Sequence, residues 1–271
     1  MNLPELLPEK PIAFGRTAEI YAWEDGWVLK LFHDWFPEES VRYEAELARA
    51  VQAAGLPVPA AGEIVEIDDR LGLTYQRVDG SSMLEEMSAK PWTLPRSSRL
   101  LAELQAGMHD DNTITGLPSQ RQRLENKIRR AEGLSPALRA AALEALAAMP
   151  EGERLCHGDF HPDNVLMTVH GPVVIDWIDA ALGRPLADVA RSSVILLGVI
   201  APGSRASRVQ KVMVGWYHRI YLRHYFRLRP GGEDEYRAWR PIVAAARTSE
   251  GITEIQDWLL SQVQAGLGPA A

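Results

Sequence analysis

The chain has 271 residues, of which 46% are hydrophobic and 24% charged, with a formal net charge of −7. This composition excludes disordered and fibrous proteins, and the acidic balance argues against a protein that coats nucleic-acid phosphates. A single cysteine, Cys156, excludes an internal disulfide, and residues 1–10 lack a signal-peptide pattern, so a cytoplasmic protein is expected. The most apolar stretch, residues 193–201, is shorter than the roughly 20 residues that span a bilayer, so no membrane partner is expected.

The first part of the chain is predicted to be rich in strands. Residues 12–32 predict a hairpin with its turn at 24–26, and residues 64–76 predict a second hairpin. Between them, Pro37 opens a helix that Gly55 ends. We therefore assign residues 1–78 to a strand-rich N-terminal lobe.

The pattern changes from about residue 97 to long segments with a period of 3.6 residues. Helices are predicted at 99–109, 121–132, 136–149, 186–200, 205–228 and 234–246. Only residues 154–177 interrupt them, with short apolar runs typical of a small sheet. Residues 79–271 are thus predicted to form a mainly helical lobe, and the chain belongs to the α+β class.

Two polar side chains are predicted to meet at one end of a hairpin. Residues 165–169 and 172–176 are apolar, β-branched runs placed symmetrically about a turn at residues 170–171. Their pairing brings Asn164 and Asp176 side by side. An amide oxygen and a carboxylate suit a hard cation such as Mg²⁺.

Asp159 lies in the loop that leads into this hairpin. It can face the same site as Asn164 and Asp176 without being a metal ligand. Phosphoryl transfer requires this separation, because cations neutralise the phosphates while another carboxylate orients the attacking hydroxyl. Protein kinases show the same spacing of a catalytic Asp, a metal-binding Asn and a later Asp.

A resemblance to a known family rests on two segments, HGDFHPDN at 157–164 and VIDW at 174–177. They are similar to motifs of the aminoglycoside phosphotransferase and choline kinase group of small-molecule phosphotransferases. The resemblance implies a two-lobed, protein-kinase-like fold, ATP (or GTP) and Mg²⁺ as cofactors, and transfer of the γ-phosphate to a hydroxyl of a small molecule. It also implies Asp159 as the catalytic base and Asn164 and Asp176 as the metal ligands.

Lys30 fits the strand lysine that binds phosphates in kinase-like enzymes. Its predicted partner is Glu44, which lies on the apolar stripe of the first helix and therefore requires a cation. The loop that carries Gly15, Arg16 and Thr17 would cover the phosphates, although it has fewer glycines than the protein-kinase loop.

Further residues are assigned to adenine binding or to support of the site. Gln76 and Val78 lie where strands give way to helices, and their backbone is expected to bind adenine. His157 and His161 are expected to brace the catalytic loop without a catalytic role. Asp188 lies at the start of a predicted helix, where the helix dipole stabilises a negative charge. The resemblance implies that Asp188 also braces this loop.

The sequence indicates the acceptor-binding residues less clearly than the nucleotide-binding ones. The apolar stripe of the 205–228 helix, which includes Val209, Val212, Trp216 and Tyr225, is expected to be core. Glu250, Glu254 and Asp257 would suit a polyamine, and an exposed helix face explains them equally well. Asp179 is expected near the site.

Two other interpretations remain open. A metal-dependent hydrolase would use His157, Asp159 and His161, which alternate and would share one face of an extended strand. A pseudokinase-like module would bind nucleotide without turnover. The sequence leaves open the acceptor, a role in antibiotic resistance, and whether the protein is a monomer or a homodimer.

Overall fold

The computed structural model describes residues 10–15, 17–110 and 114–268, which form two compact units. The first unit comprises the described residues up to Ser82 and the segment Asn164–Ile178. The second comprises the described residues of 83–163 and of 179–268. The strand-rich part and the helical part predicted from the sequence are both present.

The first unit contains a five-stranded antiparallel sheet, in the order β1-β2-β3-β5-β4. The strands are β1 (Ala13–Phe14), β2 (Ala18–Ala22), β3 (Trp27–Phe32), β4 (Ala61–Ile67) and β5 (Arg70–Gln76). Helix α1 (Glu38–Ala53) packs Val41 and Ala45 against Phe32 and Leu73 of this sheet. The two predicted hairpins and the helix between them are therefore confirmed.

A smaller sheet completes the first unit, in the order β6-β8-β9. Its strands are β6 (Ser81–Ser82), β8 (Val165–Thr168) and β9 (Gly171–Val174). Val165 pairs with Val174 and Thr168 with Gly171, so residues 169–170 form the turn. The predicted hairpin is confirmed, but the prediction of its turn at residues 170–171 was wrong by one position. The amide of Ile175 extends the pairing by donating to the Asn164 carbonyl at 3.0 Å.

The second unit is mainly helical. Its helices are α2 (Met83–Ala89), α3 (Leu94–Met108), α4 (Gln120–Arg130), α5 (Pro136–Ala148), α6 (Pro185–Ile200), α7 (Arg208–Leu228), α8 (Glu233–Arg247) and α9 (Gln256–Leu267). Strands β7 (Arg154–Cys156) and β10 (Ala181–Gly183) pair antiparallel. The six predicted helices are confirmed. Two further helices were not predicted: α2, which is short, and α9, which buries only two apolar residues. Within the residues described, no helix is both long and apolar enough to cross a membrane.

The prediction that the whole apolar stripe of α7 is core was wrong. Tyr217 and the tyrosines that follow it are buried, but Val209, Val212 and Trp216 are 69%, 63% and 64% exposed. The Tyr217 hydroxyl donates to the carbonyl of Ser97, in the first turn of α3. The turns of α7 that precede Tyr217 therefore extend past the start of α3, which cannot cover them.

Candidate active site

Asn164 and Asp176 lie at the same end of the β8–β9 hairpin. Asn164 directly precedes β8 and is buried, and Asp176 follows β9 by two residues. Asp176 has a φ of +62°, a left-handed conformation that Asp tolerates better than most residues. Such backbone conformations occur preferentially at functional sites.

Lys30 connects this hairpin to the larger sheet and to α1. Its Nζ lies 2.6 Å from Oε1 of Glu44 and 3.4 Å from Oδ1 of Asp176. Glu44 is buried and also accepts a hydrogen bond from the Tyr75 hydroxyl at 3.0 Å. Burial opposes the charge of Lys30, but Glu44 and Asp176 outweigh it and raise the pKa of Lys30 above its usual value. The predicted Lys30–Glu44 pair is present, and Lys30 remains a cation beside Asp176.

Replacing Lys30 with methionine is expected to lower the free energy of unfolding by about 3 kcal/mol, because Glu44 would keep its buried charge without a cation. Urea unfolding without nucleotide measures this. Arg42→Met is the control, since Arg42 and Glu38 form an exposed pair on the same helix that contributes less than about 1 kcal/mol. The double variant Lys30→Met/Glu44→Gln should recover part of the loss. Equal effects of Lys30→Met and Arg42→Met would contradict a buried pair.

The donors on the hairpin fit Mg²⁺. An amide and a carboxylate supply hard oxygen atoms, and Mg²⁺ is usually bound by one or two carboxylates together with substrate phosphates. Over the described part of the chain, no three His, Cys, Asp or Glu side chains are grouped closely enough to hold a metal ion. The His157, Asp159 and His161 set of the hydrolase interpretation is thus not such a group.

Asp159 lies in the second unit, in the loop after β7. Its Oδ1 accepts a hydrogen bond from Nη2 of Arg191 at 3.0 Å, and its Oδ2 is 3.5 Å from Nε2 of His161. The Nδ1 atom of His157 accepts the Asp159 amide at 3.3 Å. Burial favours the neutral acid, but His161 and Arg191 outweigh it and lower the pKa of Asp159 well below its usual value. Asp159 is therefore an anion at neutral pH.

The buried carboxylate of Asp188, in the first turn of α6, holds the backbone of this loop. It accepts the amide of Gly158 at 2.7 Å and that of His157 at 3.3 Å. Gln105 and His109 also contact it, at 2.9 and 3.2 Å. Burial raises the pKa of Asp188, but these partners and the Gly158 amide lower it overall. These bonds are what the predicted bracing role requires.

Gly158 is required at its position in the loop. Its φ is +79°, and a Cβ atom there would lie 2.4 Å from the carbonyl oxygen of Asp179. Any side chain would therefore push the loop away from Asp179. This explains why Gly158 lies directly before Asp159.

Asp159 contacts a cation, Arg191, that was not predicted from the sequence. Arg191 lies on α6, three residues after Asp188, and was not singled out from the sequence. A signal was present, because Arg191 is the only cation of the mostly apolar helix α6 and must have an anionic partner if buried. The identity of that partner could not be read from the sequence.

The three acidic residues near the C-terminus, Glu250, Glu254 and Asp257, differ in their surroundings. The side chain of Glu250 is 11% exposed, and its carboxylate lies 2.7 Å from Arg191, 3.5 Å from Arg247 and 4.0 Å from Lys127. Glu254 pairs with Arg205 at 2.8 Å. The exposed-face explanation is therefore wrong for Glu250, because an ion-pair network covers it. Asp257 remains exposed.

Asp179 belongs to the same region of the second unit. It lies 3.2 Å from Arg123 and 2.9 Å from Lys127. Burial raises its pKa, but Lys127 and Arg191 outweigh this and lower it overall. Asp179 is thus an ionised partner of cations.

Gly15, Thr17, Gln76 and Val78, which are also assigned to nucleotide binding, lie in the first unit. The Gly15 amide donates to the Ala18 carbonyl at 2.8 Å, and the Thr17 carbonyl accepts the His33 amide at 3.0 Å. Arg16 lies outside the described residues. Gln76 ends β5 and is exposed, and Val78 follows it. Their contacts with a nucleotide stay predictions.

Several solved structures are similar to this fold. A thermostable mutant of aminoglycoside phosphotransferase APH(4)-Ia, in ternary complex with ADP and hygromycin B, is 18% identical with a TM-score of 0.68, covering 96% of this chain and 94% of that one. Amicoumacin kinase hAmiN, in complex with AMP-PNP, Ca²⁺ and Ami, is 13% identical with a TM-score of 0.66, covering 99% and 91%. A choline/ethanolamine kinase family protein from Mesorhizobium loti is 15% identical with a TM-score of 0.62, covering 97% and 88%.

At these identities the likeness shows the fold, and it confirms the predicted kinase-like α+β class. The comparison with curated proteins gives no match. Residues 9–229 match the model of a family described as the phosphotransferase enzyme family. This match covers most of the sequence, and the chain therefore belongs to the phosphotransferase enzyme family.

Proposed function

We propose that the protein transfers the γ-phosphate of ATP, with Mg²⁺, to a hydroxyl of a small molecule. The observation that carries this proposal is the contact of Lys30 with both Glu44 and Asp176. It supports the proposal because a fixed cation that would bind the phosphates lies beside a carboxylate that would bind the metal. The similar structures that contain ADP or AMP-PNP support a nucleotide as the donor.

In this proposal the first unit binds the nucleotide. Lys30 binds phosphate oxygens and Glu44 holds Lys30, while the loop with Gly15, Arg16 and Thr17 covers the phosphates. The backbone at Gln76 and Val78 binds the base of ATP or GTP. We keep residues 1–78 as the nucleotide-binding lobe and residues 79–271 as the catalytic and acceptor-binding lobe, except that the segment Asn164–Ile178, which carries the proposed metal ligands, belongs to the first compact unit.

Asp159 is the base in this proposal. Its carboxylate accepts a hydrogen bond from the acceptor hydroxyl and then the proton, as the hydroxyl oxygen forms a bond to the γ-phosphorus. The bond between that phosphorus and the bridging oxygen breaks, and ADP leaves with the electron pair. Mg²⁺, held by Asn164 and Asp176, would neutralise charge on the phosphates.

The charges around Asp159 favour an uncharged or anionic alcohol over a polyamine. Three carboxylates in this part of the second unit, those of Asp159, Asp179 and Glu250, are all in ion pairs. Four cations accompany them, namely Arg123, Lys127, Arg191 and Arg247. A polycationic acceptor would therefore meet like charges near the base, with a repulsion that rises in partly buried sites.

Thermal melting with ATP, GTP and ADP, each with and without Mg²⁺, tests the donor site. A nucleotide at 100 times its Kd should stabilise the folded state by about 2.7 kcal/mol. We expect this stabilisation to depend on Mg²⁺. No shift at saturating nucleotide would refute the proposed function.

A phosphate-transfer screen then identifies the acceptor. The panel contains aminoglycosides, choline, homoserine and matched small alcohols that differ only in an ammonium, amide or carboxylate group. We expect turnover of the uncharged or anionic members. Turnover of the aminoglycosides alone would contradict the preference inferred from the charges, and Mg²⁺-dependent nucleotide binding without any turnover would favour a pseudokinase-like module.

A further inference from the structure

Arg191 contacts both the side chain and the backbone of the catalytic loop. Its Nη2 donates to Oδ1 of Asp159 at 3.0 Å, and its Nε donates to the Gly158 carbonyl at 3.0 Å. The planar guanidinium therefore holds the carboxylate at a fixed position relative to its own backbone. Lysine, with a single flexible ammonium, cannot reproduce this two-point contact.

Arg191 is itself held in place. Its side chain is 10% exposed, and Nη2 also lies 2.7 Å from Oε1 of Glu250. Glu250 is positioned in turn by Arg247 and Lys127. Asp159, Arg191 and Glu250 thus form a chain of alternating charges that joins the loop, α6 and the single helical turn Thr248–Glu250.

We propose that Arg191 is a positioning residue for the transfer reaction, which orients the carboxylate of Asp159 toward the acceptor hydroxyl. The proposal rests on the proposed function, because it needs Asp159 to be the base. With Oδ1 held by Arg191, rotation of the carboxylate is restricted. The acceptor hydroxyl then meets the same arrangement in each turnover, which is the benefit of a preorganised site.

The charged groups around Asp159 also determine the stage of the reaction at which its carboxylate accepts the proton. Arg191 faces it from α6, and His157 and His161 face it from its own loop. Glu250 and Asp179 offset part of the Arg191 charge. A strongly acidic carboxylate accepts a proton only late in the reaction, which suits a loose phosphoryl-transfer transition state with little early proton transfer.

The test compares Arg191→Gln and Arg191→Lys with the unmodified protein, using nucleotide and an acceptor that it phosphorylates. Arg191→Gln should lower kcat by roughly 10- to 100-fold and leave KM for the nucleotide nearly unchanged, because its effect is on orientation. The acidic limb of its kcat profile should move up by about 1–3 pH units, since a neighbouring cation lowers an Asp pKa by that amount. Arg191→Lys should keep the acidic limb near its original pH and give an intermediate kcat.

Arg184→Gln is the matched control. Arg184 directly precedes the same helix and forms a two-point ion pair with Glu235 at 2.9 and 2.7 Å, without contact to Asp159. Its loss should leave kcat and the pH profile unchanged. Thermal melting establishes that each variant is folded.

The outcomes separate this inference from the proposed function. If the unmodified protein transfers no phosphate, the proposed function fails. If it does, and a folded Arg191→Gln keeps its kcat and pH profile, the positioning role is overturned. Equal losses in both Arg191 variants with no shift of the acidic limb would show a structural role and also overturn it. If Arg191→Gln does not fold, Arg191→Lys decides, because the proposal requires a lower kcat with the nucleotide KM unchanged.

Discussion

Replacing Asp159 with asparagine is expected to lower kcat by roughly 10²- to 10⁴-fold, the usual contribution of a general base. Asparagine has nearly the same shape and can still accept the hydrogen bond from Arg191, but it cannot accept a proton. The binding of Mg²⁺ and nucleotide should be nearly unchanged, because the groups assigned to both lie on the first unit. Single-turnover assays of ADP formation measure the first effect, and thermal shifts with nucleotide measure the second.

Asp163→Asn is the control for Asp159→Asn. Asp163 lies four residues further along the chain, and its side chain is exposed. The control removes one carboxylate from the same segment and should retain most of the activity. Near-native kcat in a folded Asp159→Asn protein would show that another group is the base.

The elements that position the candidate site were predictable because each follows from a local pattern. The β8–β9 hairpin was predicted from two apolar runs placed symmetrically about residues 170–171. The Lys30–Glu44 pair was predicted because a carboxylate on an apolar helical stripe must have a cation nearby. In both cases the partner lies within about 15 residues, and local geometry limits the alternatives.

The unpredicted contacts join residues that are distant in the sequence. Lys30 and Asp176 are separated by 146 positions, and Arg191 and Asp159 by 32. A helical or strand period shows which face of an element is buried, but it does not show which residue of another element packs there. The apolar stripe of α7 shows the same limit, because it could not reveal that α3 begins too late to cover Trp216.

Replacing Asp176 with asparagine is expected to remove most of the Mg²⁺ dependence of nucleotide binding and to lower kcat/KM by roughly 10²-fold or more, since metal neutralisation of phosphate charge is worth several kcal/mol. Asparagine is preferred to alanine as the substitution. At a φ of +62°, alanine would add about 1–2 kcal/mol of backbone strain, whereas asparagine tolerates this conformation. Lys30 would lose its 3.4 Å contact but keep Glu44 at 2.6 Å, so the fold should persist.

Asp69→Asn is the matched control for Asp176→Asn, because Asp69 has a φ of +63° in the turn between β4 and β5 and has no role in the proposed site. It should bind and turn over nucleotide as the unmodified protein does. Raising the Mg²⁺ concentration should partly restore Asp176→Asn by mass action, but it should not restore Asp159→Asn, whose defect lies in proton transfer. Titration of kcat/KM with Mg²⁺ in both variants measures the difference. An unchanged Mg²⁺ requirement in Asp176→Asn would mean that Asp176 is not a metal ligand and that its contact with Lys30 only positions the lysine.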